Sequence, residues 1–134
     1  MIILTNIELM EHWIETSDED YEAMASLYKD KKYNWCLFIG HLVVEKLVKA
    51  LYAKHNSENP YAPQIHDLLK IIRKCDVNID DTKLDKLSVI NTFNIGARYD
   101  DYKKEFYNKC TKEYTDEQIK NIEELRTWLK TQLV

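Results

Sequence analysis

Glycine and proline are nearly absent, with two of each in 134 residues. So few backbone breakers do not suit the many tight turns of a β-sandwich; they suit long helices joined by a handful of connections. Cysteine is also scarce. Cys36, Cys75 and Cys110 are odd in number and far apart, with no C-x-x-C, no H-E-x-x-H and no close His/Cys cluster. That pattern argues against a disulfide frame and a structural zinc site, and it predicts free thiols in a cytoplasmic setting with no metal or cofactor. No apolar run approaches the roughly 18 residues that span a bilayer. Met1 to Leu4 is too short, and lacks the basic flank, for a secretory signal. No membrane attachment is expected.

A basic excess is missing too. The formal net charge is -4 and the pI about 5.6, whereas a general nucleic-acid binder gains affinity by neutralising phosphates and is usually basic. Only a local basic patch could serve that purpose here. The acid gathers early: Glu8, Glu11, Glu15, Asp18, Glu19, Asp20 and Glu22 all precede the first lysine. With 45% hydrophobic and 31% charged residues, the composition is that of a folded chain, and its length suits one domain over residues 1–134.

Helical periodicity runs through most of the chain. Thr5 and Glu8 form a capping-box pattern, so a first helix should start near Asn6, with Met10, Trp13, Ile14, Ser17, Tyr21, Met24 and Tyr28 on its buried stripe. From Tyr33 to His55 apolar residues occupy most of the circumference, which predicts a helix central to its bundle or buried by a partner. After the turn at Asn59 to Pro63, a short helix is predicted from about Gln64 to Lys74. A fourth follows, capped by Asp80 or Asp81, with Leu84, Leu87, Ile90 and Phe93 inward. A tyrosine- and lysine-rich connection then leads to a capping box at Thr115 and Gln118 and a last helix. The prediction is an all-α, four- to five-helix up-and-down bundle.

Candidate functional residues fall into three groups. On the second helix, Asn34, His41, Glu45 and Tyr52 share one narrow polar strip, with Lys49 beside it. His41 and Glu45 are one turn apart, so the carboxylate can orient the imidazole; the pair serves either a ligand or an interface. On the fourth helix, Asn91, Asn94 and Arg98 recur at helical spacing. Arg98 can hold a phosphate bidentately, or pair with Asp100, Asp101 or the helix end. Beyond it, Tyr99, Tyr102, Lys103, Lys104, Phe106, Tyr107 and Lys109 interleave rings with cations, as in grooves that hold single strands. His66, near the start of the third helix, can donate to a phosphate or satisfy a loop carbonyl. His12 and His55 look like surface residues.

Three segments together resemble the HEPN family (higher eukaryotes and prokaryotes nucleotide-binding). Tyr33 to Leu51 is similar to the family's second helix, whose apolar run leads into a Glu-Lys and Lys-Ala-Leu pattern. Ile65-His66-Asp67-Leu68 is similar to its His-x-Leu opening of the third helix. Asn94-Ile95-Gly96-Ala97-Arg98-Tyr99-Asp100-Asp101 is similar to its Ala-Arg-Tyr-Pro-Asp signature, with Asp100 where proline is usual.

The resemblance implies a four- or five-helix domain that commonly forms a homodimer and is often encoded beside a minimal nucleotidyltransferase, in toxin–antitoxin-like or regulatory pairs. It also implies metal-independent ribonuclease chemistry where an arginine is followed, after four to six residues, by histidine. Here those positions after Arg98 are Lys103, Lys104 and Glu105, and no histidine occurs after His66. The expectation is therefore a non-catalytic or weakly catalytic module that binds a nucleotide or single-stranded RNA. An endoribonuclease using Arg98 with His41 or His66, and a purely structural helical adaptor, are the alternatives. A dimer interface is expected to include part of the second or fourth helix.

Overall fold

The computed structural model describes residues 4–134, so Met1 to Ile3 of the apolar start lie outside it. Thr5 opens α1 (Asn6–Lys29) with the expected capping box: its hydroxyl accepts from the Glu8 N–H at 3.1 Å, and Glu8 accepts from the Thr5 N–H at 3.2 Å. The helix closes in a paired-bond C-cap, Lys32 N–H to Leu27 O at 2.9 Å and Lys31 N–H to Tyr28 O at 3.0 Å. Lys31 takes the left-handed position of that motif at φ 58°, where glycine is usual and a side chain costs about 1 kcal/mol.

The second helix, α2 (Tyr33–His55), has the bounds the sequence predicts, and it is the centre of the molecule. It packs against α1, α3 (Leu68–Ile72), α4 (Asp81–Arg98), α5 (Asp100–Lys109) and α6 (Lys112–Gln132). Cys36, Leu37, Val43, Val44, Leu47, Val48 and Leu51 are fully buried. Ser17 of α1, buried against this helix, donates its hydroxyl to the Val43 carbonyl at 2.8 Å and so satisfies a polar group inside the core. Most of the apolar circumference of α2 is thus used within the chain. What remains is one edge, where Trp35 is 43% exposed and Phe38 and Leu42 are half-buried.

Four sequence expectations need correction. The third helix is only Leu68–Ile72, because Asp67 accepts from the N–H groups of Leu69 and Lys70 and starts the helix there. His66 accordingly lies in the preceding loop. The supposed connection after Arg98 is a helix, α5. The last helix is capped by Thr111, which accepts from the Tyr114 N–H at 3.2 Å, while Thr115 and Gln118 are buried inside α6. The described residues therefore hold six helices and no strand: the expected all-α bundle, with α5 as the helix beyond the expected four to five. The fourth helix behaves as expected: Asp80 caps it, it runs through Gly96, and Leu87, Ile90 and Phe93 are buried.

Gly96 is what lets α5 sit against α4. A Cβ there would lie 2.7 Å from Cγ of Phe106, the one buried side chain of α5. Alanine normally favours a helix interior over glycine by about 1 kcal/mol. Here the clash with a ring packed on Phe93 at 5.7 Å should outweigh that gain. Gly96→Ala is expected to destabilise the fold by about 1–3 kcal/mol in urea unfolding; a gain in stability would show that α5 yields freely.

Candidate functional site

The polar strip of α2 and the polar face of α4 meet under the loop that precedes α3. Glu45 is 4% exposed, and a carboxylate that dry must be compensated. It is: Oε1 lies 2.8 Å from His66 Nδ1, and Oε2 lies 3.4 Å from Lys49 Nζ. Lys49, itself 9% exposed, also sits over the Trp13 ring at 5.4 Å. Glu45 thus orients His66 across the loop rather than the helical neighbour His41 suggested by spacing.

His41 is completely buried, and its Nε2 is 3.2 Å from the His66 carbonyl. A carbonyl only accepts, so Nε2 carries the proton and Nδ1 is left as an acceptor. Nδ1 is buried with no partner among the described residues. Burial pushes the His41 pKa below its ordinary value, further lowered by the nearby His66 and Arg98; the Glu45 charge and the bond to the His66 carbonyl oppose this without reversing it.

Arg98 is the last residue of α4, where the negative end of the helix dipole favours a cation. Its guanidinium lies 5.1 Å over the Phe38 ring of α2. It takes part in none of the ion pairs among the described residues; Asp100 instead pairs with Lys103 at 3.2 Å. A guanidinium held near a ring without a carboxylate partner keeps N–H donors available, and those donors can grip phosphate or carboxylate.

The remaining predicted residues divide. Asn91 is engaged within the protein: it accepts from the Leu68 N–H at 2.9 Å and donates to Asp67 at 3.4 Å, holding the loop that carries His66. Asn94 lies on the same face of α4 as Arg98, with its Oδ1 buried and unpartnered. Tyr99, Lys103 and Lys104 are exposed on the corner and first turns of α5. Phe38 was missed as a site residue because it sits within an apolar run. Its one signal was its position, four residues after Asn34 and three before His41, on the edge of the polar strip. The cysteines offer no nucleophile, since burial pushes the Cys36 thiol up to about 11 and those of Cys75 and Cys110 to about 12. Among the described residues no helix is long and apolar enough to cross a membrane.

Compared with known families, the chain matches the HEPN domain over residues 10–132. The chain belongs to the HEPN family. No curated protein and no solved structure matches it. In this HEPN domain the three segments that carry the resemblance converge: the second-helix run supplies Phe38, His41 and Glu45, the His-x-Leu segment supplies His66, and the last signature supplies Arg98. Lys103, Lys104 and Glu105, which stand where a motif histidine would be, are all exposed on α5.

The buried neutral His41 has a consequence for stability. Below about pH 6.5 the unfolded chain takes up a proton on this residue that the folded chain refuses. Stability is therefore present above that pH and lost as pH falls through it. Thermal melts should show wild type falling between pH 7.5 and 5.5, with a visibly flatter dependence for His41→Gln, whose amide can still donate to the His66 carbonyl. Glu45, His66 and Arg98 face the imidazole in both proteins. Identical slopes would mean that His41 does not titrate against folding.

Proposed function

We propose that residues 1–134 form one HEPN binding module, non-catalytic or weakly catalytic, that holds a phosphate of a nucleotide or single-stranded RNA at Arg98. The observation that carries this reading is an arginine with no carboxylate partner among the described residues, lying 5.1 Å over the Phe38 ring beside a buried, neutral histidine. Arg98 is exposed, so its donors remain open to a phosphate brought from outside, which a guanidinium can hold bidentately. Tyr99 supplies an exposed ring next to it, and the buried Asn94 oxygen and His41 Nδ1 are polar groups without a partner among the described residues. A purely structural adaptor has no use for such an arrangement.

The module acts as a homodimer. Support comes from the apolar edge of α2, Trp35, Phe38 and Leu42, which runs alongside Arg98 and is the part of that helix the bundle leaves uncovered. Light scattering at micromolar concentration should give twice 16.0 kDa for wild type and a monomer for Trp35→Glu; a monomeric wild type removes the dimer. Cooperation with a minimal nucleotidyltransferase, in a toxin–antitoxin-like or regulatory pair, rests on the family resemblance alone. An adjacent gene for such an enzyme would support it; copurification of the two proteins tests it, and failure to associate counts against it.

One observation favours catalysis as a second reading. Glu45 and His66 form a carboxylate–imidazole pair at 2.8 Å, with the His66 side chain 43% exposed, as an acid–base group requires. The two readings separate in one experiment with labelled single-stranded RNA and EDTA. Arg98→Ala is expected to weaken binding at least about tenfold, the loss of a charged hydrogen-bond pair, with stability changed by about 1 kcal/mol or less. Cleavage above background is not expected. Turnover abolished by both Arg98→Ala and His66→Ala would establish the ribonuclease; unchanged binding in a folded Arg98→Ala would place the site elsewhere.

A further inference from the structure

One face of α5 continues away from Arg98. Tyr99, Lys103 and Tyr107 recur every four residues and so lie on one stripe, with Tyr99 59% and Tyr107 65% exposed. At about 100° per residue the acidic Asp101 and Glu105 fall on the far side of the helix. The stripe ends at a cavity of about 280 Å³ where the α1–α2 turn meets the α5–α6 turn, lined by Lys31, Tyr33, Asn34, Tyr107, Asn108 and Thr111.

This cavity is furnished for an anion. Lys31 occupies a left-handed backbone position that glycine would hold without strain, yet this position carries a lysine and is part of the cavity lining. Strain retained at a particular residue points to a use for that residue. Lys31 and its neighbours Lys29 and Lys32 enter no ion pair among the described residues. The first turn of α2 begins at the same place, and its N-cap Lys32 gives it no side-chain hydrogen bond.

We propose that this cavity is a second phosphate subsite, and that the Tyr99–Lys103–Tyr107 stripe is the stacking track joining it to Arg98. The inference rests on the reading of Arg98 as a phosphate contact. From Tyr99 to Tyr107 a helix rises about 12 Å, the length of three to four stacked nucleotides at about 3.4 Å each. The ligand is therefore a single strand of RNA at least that long, and not a mononucleotide. Unpaired bases have free faces for the tyrosine rings. Lys103, held by Asp100 at 3.2 Å in the free chain, exchanges that exposed partner for the backbone of the strand.

Fluorescence anisotropy with a labelled dinucleotide and a labelled hexanucleotide of the same RNA base tests the track. Lys31→Gly relieves the left-handed strain, so its melting temperature should equal or exceed that of wild type. Lys31→Gly and Tyr107→Ala should each weaken the hexanucleotide at least about fivefold more than the dinucleotide. The salt dependence of hexanucleotide binding should fall by about 0.7 in log–log slope for Lys31→Gly. Arg98→Ala should weaken both lengths. If Arg98→Ala weakens binding while Lys31→Gly and Tyr107→Ala affect both lengths equally or neither, the second subsite is wrong and the Arg98 contact stands. If wild type binds neither RNA, both are wrong.

Discussion

Glu45 puts a carboxylate on the buried polar strip of a helix that is otherwise mostly apolar and enclosed. A charge so placed is tolerated only with partners close at hand, and removing one partner of such a group commonly costs 3–5 kcal/mol, because the other is left uncompensated. Here the partners come from two directions. Lys49 rises one turn along α2, and His66 arrives from the loop after the Asn59–Pro63 turn. The need to compensate Glu45 therefore fixes that loop onto α2. It also places the His66 carbonyl where His41 can donate to it, and with it the tautomer of the buried imidazole.

The other half of the site depends on how α4 ends. Tyr99 serves both as the C-cap of α4 and as the N-cap of α5: its N–H reaches Ile95 O at 3.2 Å, and its carbonyl accepts from Tyr102 and Lys103. The corner holds by backbone hydrogen bonds with Asp100 in the place where the family usually has proline. Gly96 then allows Phe106 to close on α4, so α5 leaves Arg98 pointing back toward Phe38. Two helix ends, one buried carboxylate and one glycine thus converge on a single cation.

The central helix was legible because apolar residues occupy most of its circumference between Tyr33 and His55, and the α4 face was legible because Asn91, Asn94 and Arg98 recur at helical spacing. Contacts over long sequence separation were not. His66 is twenty-one residues from Glu45, and spacing alone favoured His41, the nearer candidate. The helix α5 escaped notice because only Phe106 of its residues is buried, which leaves no apolar period to read. Thr115 with Gln118 mimics a capping box, while the true cap, Thr111, has Tyr114 at the position where a glutamate would have signalled it.

A groove of about 410 Å³ between α1 and α6 offers a competing location, lined by Tyr21, Met24, Ala25, Tyr28, Ile119, Asp116 and Glu123. Its polar rim is already satisfied, since Tyr21 donates to Glu123 and Tyr28 to Asp116. That rim also presents carboxylates, which repel phosphate. The distinction is open to direct observation by nuclear magnetic resonance of labelled protein titrated with single-stranded RNA. The expected result is the largest shifts at the Arg98 Nε–H, the Phe38 ring and the backbone of Tyr99, with α1 and α6 undisturbed along their shared groove. Shifts confined to Tyr21, Tyr28 and Ile119, with Arg98 silent, would contradict the assignment of Arg98 as the phosphate contact.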